Sequence, residues 1–170
     1  MMGLLVALAL LFAGPEESLP RGVHVRVKID AAVDGKARVG DMITATVTHN
    51  VVVPGTQVVS KGAKLRGRLT RMNRSVSVDT SGLWYEVGIM FDQIEQDGNV
   101  VRFAGTLEEA GSLFNPCIVP FSRQIQVGKE HAAWLRAGIN TLRPRRGEGV
   151  LLTQESPPLP EGLPMTWRAE

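Results

Sequence analysis

With 170 residues, 44% hydrophobic, 21% charged and only 5% aromatic, the chain has the composition of a globular domain large enough to bury a core without disulfides or metals. It lacks the aromatic content of carbohydrate-stacking surfaces or of girdled outer-membrane barrels. A formal net charge of +2 is too small to point to nucleic acid. The one cysteine, Cys117, excludes an internal disulfide and any Cys-x-x-Cys redox or zinc site; beside Ile118 and Val119 it reads as a small buried hydrophobe.

Residues 1–14 read MMGLLVALALLFAG. The apolar run Leu4 to Ala13 is too short to span a bilayer, which takes about 20 residues. It matches the apolar region of a secretory signal and ends on the small residues Ala13 and Gly14, although no Lys or Arg precedes it. The expectation is a signal peptide at 1–14, a flexible mature N-terminus at 15–21, no transmembrane span in the mature chain, and a periplasmic or secreted location.

Gly22 to Asp30 alternates Val23, Val25, Val27 and Ile29 with polar residues, the period of a half-buried strand. Residues 31–40 read as a loop. Alternation resumes at 41–49 with Ile43, Ala45 and Val47, and Val51 to Val53 extends that strand to a turn at Pro54-Gly55. A short strand starts at Val58-Val59, and Lys61-Gly62 turns the chain into a strand from Lys64 to Met72. There Leu65, Gly67 and Leu69 share one face, and a glycine inside a strand marks close backbone approach or a bend. Asn73 to Gly82 reads as a connection. Leu83, Tyr85, Val87, Ile89 and Phe91 then mark a strand, the adjacent Trp84 and Tyr85 facing opposite sides. Gln96-Asp97-Gly98-Asn99 is a hairpin turn, completed by a strand from Val100 to Leu107.

Residues 108–148 form a less regular insertion, with a short helix predicted at 129–138, ending on Gly138. A strand at 149–153, a proline-rich stretch at 156–161 and a closing strand at 163–168 follow. The predicted fold is all-β: a small antiparallel barrel or sandwich with at most one short helix, in a single domain over 22–170.

Several of these elements carry a resemblance. The segment Val58 to Gly67 (VVSKGAKLRG), the group Met90-Phe91-Asp92, the Asp97-Gly98 hairpin and the closing strand Leu163 to Arg168 resemble a group of uncharacterised bacterial exported β-barrel proteins. More distantly they are similar to the TrbI-like barrel domain of conjugal-transfer (type IV) secretion channels. Those channel proteins also carry a long N-terminal transmembrane and proline-rich region and a helical antenna, which this sequence does not display. The resemblance implies an envelope β-barrel and no particular activity.

Catalytic patterns are thin. Asp79-Thr80-Ser81-Gly82 has one residue too many for the aspartic-protease turn and occurs once. His24, His49 and His131 lack the short spacings of metal ligands on one element. Gly35 to Gly40 is not a phosphate loop, there is no Gly-x-Ser-x-Gly elbow, and Cys117 with distant His131 lacks a strand-to-helix setting for a thiol pair. No metal and no cofactor are expected.

The pattern that points to function is cationic. Arg26 and Lys28 share one strand face and Lys64, Arg66 and Arg68 another; if those strands are neighbours, they form a basic stripe for an envelope protein or an anionic polymer. The plainer alternative is a solvated face whose cations keep edge strands from pairing. The leading functional expectation is a non-enzymatic exported envelope or secreted β-domain that binds a protein or polymer partner. Alternatives are a structural component of a secretion or cell-envelope assembly, and a hydrolase with an unfamiliar site.

Overall fold

Val25, Val27 and Ile29 are all but sealed from solvent, at 0%, 1% and 1% exposure, while His24, Arg26 and Lys28 face out. The period-2 pattern therefore makes strand β1 (His24–Ile29) half-buried, as expected. The computed structural model describes residues 18–54, 56–76, 83–111, 117–119 and 144–170. The expected signal peptide, the Asp79–Gly82 turn, His131 and the helix expected at 129–138 lie outside the described residues, as does the side chain of Cys117.

The described residues contain no helix and these further strands: β2 (Met42–Val47), β3 (Val51–Val53), β4 (Thr56–Val59), β5 (Lys64–Val76), β6 (Leu83–Gln96), β7 (Asn99–Arg102), β8 (Gly105–Ala110), β9 (Cys117–Val119), β10 (Glu148–Thr153) and β11 (Pro164–Ala169). One sheet runs in the order β8-β11-β1-β2-β5-β6-β10-β9, with β7 also on β6. All its strand pairs are antiparallel. The sheet curls into a half-barrel, and side chains from its two ends meet inside. A Cβ placed on Gly149 of β10 would lie 2.6 Å from the Trp167 ring of β11 and 2.7 Å from Leu107 of β8, so the missing side chain lets the far ends of the sheet close on one core. Trp167 is fully buried and packs edge-on against Phe91, ring centres 5.2 Å apart. Burying each large apolar side chain of this kind contributes about 1.5–3 kcal/mol.

Three features depart from the sequence reading. Val51–Val53 does not extend β2: the β1–β2 ladder ends with Thr48 N–H donating to the Arg26 carbonyl, and β3 pairs with β4 as a separate hairpin. Residues 73–76 are strand rather than connection, because β6 is long enough to pair with them through Val76. The single strand expected from Val100 to Leu107 is two, broken at Phe103-Ala104: β7 stays on β6 and β8 leaves to pair with β11. Before β1, Ser18 forms a bridge with Arg102 and Leu19 is 7% exposed.

Two bulges set which residues face inward. Between β5 and β6, Arg66 pairs with Gln93 but Gly67 with Phe91, so Asp92 is extra; this turns both Phe91 and Ile94 into the core, which strict alternation forbids. At the same place a Cβ on Gly67 would sit 2.1 Å from the Met90 carbonyl oxygen, the close approach its position in the strand implied. The second bulge adds Thr70, between the pairs Leu69–Ile89 and Arg71–Gly88.

Candidate functional site

The second bulge builds a buried charged cluster that the sequence reading did not contain. Because Thr70 is the extra residue, both Thr70 and Arg71 reach the same partner on the outer face. The Thr70 hydroxyl donates to Glu148 Oε1 at 2.5 Å, and Arg71 Nε donates to the same oxygen at 2.9 Å. Arg71 also donates to Glu148 Oε2 at 2.8 Å and to Glu86 Oε1 at 3.0 Å. Asn73 Nδ2 donates to Glu86 Oε2 at 2.8 Å, and the Arg145 N–H to Glu148 Oε2 at 2.7 Å. Arg71 spans from β5 across β6 to β10 because Gly88 lies beneath it: a Cβ there would stand 2.5 Å from Thr70 Oγ1 and 2.7 Å from Arg71 Cγ. Burial pushes the Glu148 carboxyl up, but the hydrogen bonds from Arg71, Thr70 and the Arg145 N–H outweigh it and hold it below its ordinary value. The same two carboxylates raise the Arg71 guanidinium against the opposing effect of its burial. Every carboxylate oxygen of this cluster is engaged, so its chemistry is to hold β5, β6 and β10 in register.

The expected basic residues all face outward, but they do not form one stripe. Strand β2 lies between β1 and β5 and contributes Met42, Thr44 and Thr46 to the outer face. Lys28 aligns with Thr46, and Thr46 with Lys64. Lys64 Nζ is 3.0 Å from Asp30 Oδ2 and donates to Thr46 Oγ1 at 2.6 Å; the Thr46 hydroxyl donates to the same Asp30. Arg66 is paired with Glu95 at 2.6 Å. Arg68 aligns with Met42 and Arg26 with Thr48, six residues along β2, which is about 20 Å of strand. Among the described residues Arg26, Lys28 and Arg68 enter no ion pair.

Neither β1 nor β5 is an edge strand, since each is paired on both sides. Their cations are therefore not needed to block edge-to-edge pairing.

Around Arg26 the outer face is structured. One row across three strands runs Glu109 (β8), Thr166 (β11) and Arg26 (β1) and ends at Thr48, just past β2. The Thr166 hydroxyl donates to Glu109 at 3.0 Å. The Thr48 hydroxyl donates to the Arg26 carbonyl at 3.1 Å, which leaves its oxygen to accept from His49 Nδ1 at 2.9 Å. One row further, His24 Nε2 lies 2.9 Å from Glu108 Oε2, and Arg168 Nε donates to Glu108 Oε1 at 2.5 Å. Two open depressions flank the row, one toward His24 and Val52 and the other toward Gly111 and Pro164; both are lined by Arg26 and His49. Among the described residues no three His, Cys, Asp or Glu side chains are placed to hold a metal ion.

No family model matches the chain and no curated protein matches it. Among solved structures it is similar to ComB10 of the Com type IV secretion system of Helicobacter pylori. That likeness is 11% identical, covers 91% of this chain and 88% of that one, and has a TM-score of 0.45.

Proposed function

We propose that this chain is a non-enzymatic exported envelope β-domain that binds a protein or polymer partner through the outward face of β1 and its neighbours. One observation carries the reading: Arg26 and Lys28 are exposed on a central strand with no ion-pair partner among the described residues, while Lys64, Arg66 and Arg168 on the same face are each paired. Unpaired cations on a central strand attract an anionic group from outside the chain. The buried charged groups support the non-enzymatic part, because Arg71 and Glu148 are consumed by contacts that hold three strands together.

The test is capture from envelope extract with the wild-type chain and with Arg26→Glu/Lys28→Glu, the partners identified by mass spectrometry. The expected result is a reproducible partner recovered by wild type and lost on charge reversal. An unchanged set of recovered partners overturns the reading.

A second reading, a structural component of a secretion or cell-envelope assembly, is favoured by the Val58 to Gly67 and Met90-Phe91-Asp92 patterns. It predicts that the protein co-fractionates with a high-mass envelope complex rather than as a free domain. The export half of the proposal is supported by the apolar run Leu4 to Ala13. It predicts a periplasmic or secreted mature chain whose N-terminus lies downstream of that run, read by mass spectrometry.

A further inference from the structure

We infer that the groove centred on Arg26 and His49 seats an extended, carboxylate-bearing peptide segment of a protein partner. The inference rests on the proposed partner-binding reading and narrows it to one groove and one ligand chemistry.

Three features lead there. The first is a vacant fork. Arg26 is exposed and unpaired among the described residues, and it lines both depressions. A guanidinium presents parallel N–H donors matched to a carboxylate. The second is the charge pattern. Glu109 lies in the same row as Arg26, and Glu108 lies beside His24 and Arg168. Carboxylates flanking the cation oppose a uniformly anionic polymer such as polyphosphate, but suit a peptide whose acidic residues alternate with neutral ones. The third is the rim. Val52, 64% exposed, borders the depression on the His24 side. Pro164, also exposed, borders the other. Apolar contacts at both ends of a polar centre match the alternate side chains of an extended peptide. His49, held by Thr48 through Nδ1, lines both depressions as a second polar side chain beside Arg26.

The experiment uses the isotopically labelled mature chain and an acetylated six-residue peptide of alternating glutamate and valine, followed by amide chemical shifts. Expected are saturable shifts confined to residues near 22–26, 48–52, 109–111 and 164–166. Arg26→Ala is expected to weaken binding at least tenfold, and Arg26→Lys, which keeps the charge and loses the fork, several-fold. Arg68→Ala, about 20 Å of strand away, is expected to leave binding unchanged. Binding within twofold of wild type in both Arg26 variants overturns the inference, as do shifts centred elsewhere or no peptide binding. A parallel titration with polyphosphate that binds this groove more tightly than the peptide also overturns it, in favour of a polymer. The broader reading falls separately: if the peptide fails but captured partners still depend on Arg26 and Lys28, only the groove assignment is lost. If captured partners are also indifferent to charge reversal, both are lost.

Discussion

Arg71 shows how much one side chain settles here. Its side chain is 17% exposed, that of Glu148 only 1%, and the two are 2.8 Å apart. Removing Arg71 leaves the buried Glu148 carboxylate without a cation, held only by the Thr70 hydroxyl and the Arg145 N–H. Arg71→Met is therefore expected to cost about 3–5 kcal/mol, measured as a lower denaturant midpoint at unchanged slope. Replacing Arg71 and Glu148 together by Met and Leu is expected to cost less than Arg71→Met alone, because only Glu86, which keeps its bond from Asn73, then loses its cation. A loss below 1 kcal/mol in the single variant would show that the cluster is not what joins β5 to β10. Other residues act by what they lack. Gly88 clears the path of the Arg71 chain, and Gly149 admits Trp167 and Leu107. The Trp167 indole N–H is the buried polar side-chain atom left without a partner among the described residues, so its packing against Phe91 must outweigh that loss.

At the scale of elements, the bulges matter more than strand propensity. Thr70 is the extra residue that puts Thr70 and Arg71 together on Glu148. Deleting Thr70 closes the bulge but leaves Arg71 opposite Gly88 and Met72 opposite Val87, so the later side chains of β5 keep their faces. That variant is expected to lose the Thr70 hydroxyl bond to Glu148 and the local kink that aims Arg71 at it, lowering the midpoint of thermal unfolding. A midpoint equal to wild type would mean that the bulge adds nothing to the cluster. The β6–β7 hairpin needs no such device: Asp97 and Gly98 have φ of 51° and 79°, both left-handed as a tight two-residue turn requires. β10 is buried on both sides, with Leu151 at 0% and Val150 at 0% exposure, the environment of a strand inside a layered structure rather than at a wet surface.

For the whole molecule, the shifted carboxylates predict an acid limit to stability. Burial raises the carboxyl of Asp30, Glu148 and Glu170 alike. Hydrogen bonds outweigh it in each, from Thr46, Lys64 and Thr44 for Asp30, from Arg71, Thr70 and Arg145 for Glu148, and from Thr106 and Arg146 for Glu170. All three stand below ordinary values of 3.8 for Asp30 and 4.5 for the two glutamates. A group with a depressed folded value stabilises the fold fully above its unfolded value, and that stability is lost as pH falls through the folded one. Unfolding free energy is therefore expected to be flat in this respect above about pH 5 and to drop below about pH 4.5. Chemical denaturation at a series of pH values checks it, and Glu148→Gln should remove part of the slope. A profile that stays flat down to pH 3 would contradict these carboxylate contacts.

The class of this fold and most of its strands follow from the residue order alone. Inward and outward side chains must alternate in a sheet with one apolar face, and Val25, Val27, Ile43, Ala45, Leu65, Tyr85, Ile89, Met165 and Trp167 record that alternation directly. Residue order determined the β6–β7 turn as well, since Asp-Gly is a local solution to a left-handed backbone. Tertiary structure alone decided which strands are neighbours. The basic residues were legible one by one, but β2 lies between β1 and β5, so the condition for one stripe is not met; Asp30 and β6's Glu95 pair Lys64 and Arg66, and Arg26 lies beside His49. The Arg71 cluster was illegible for the same reason: Arg71, Glu86 and Glu148 lie on three strands, and their meeting depends on a bulge and on the room above Gly88. Contacts across a sheet are set by register, and register is a property of the whole curled sheet rather than of any one strand.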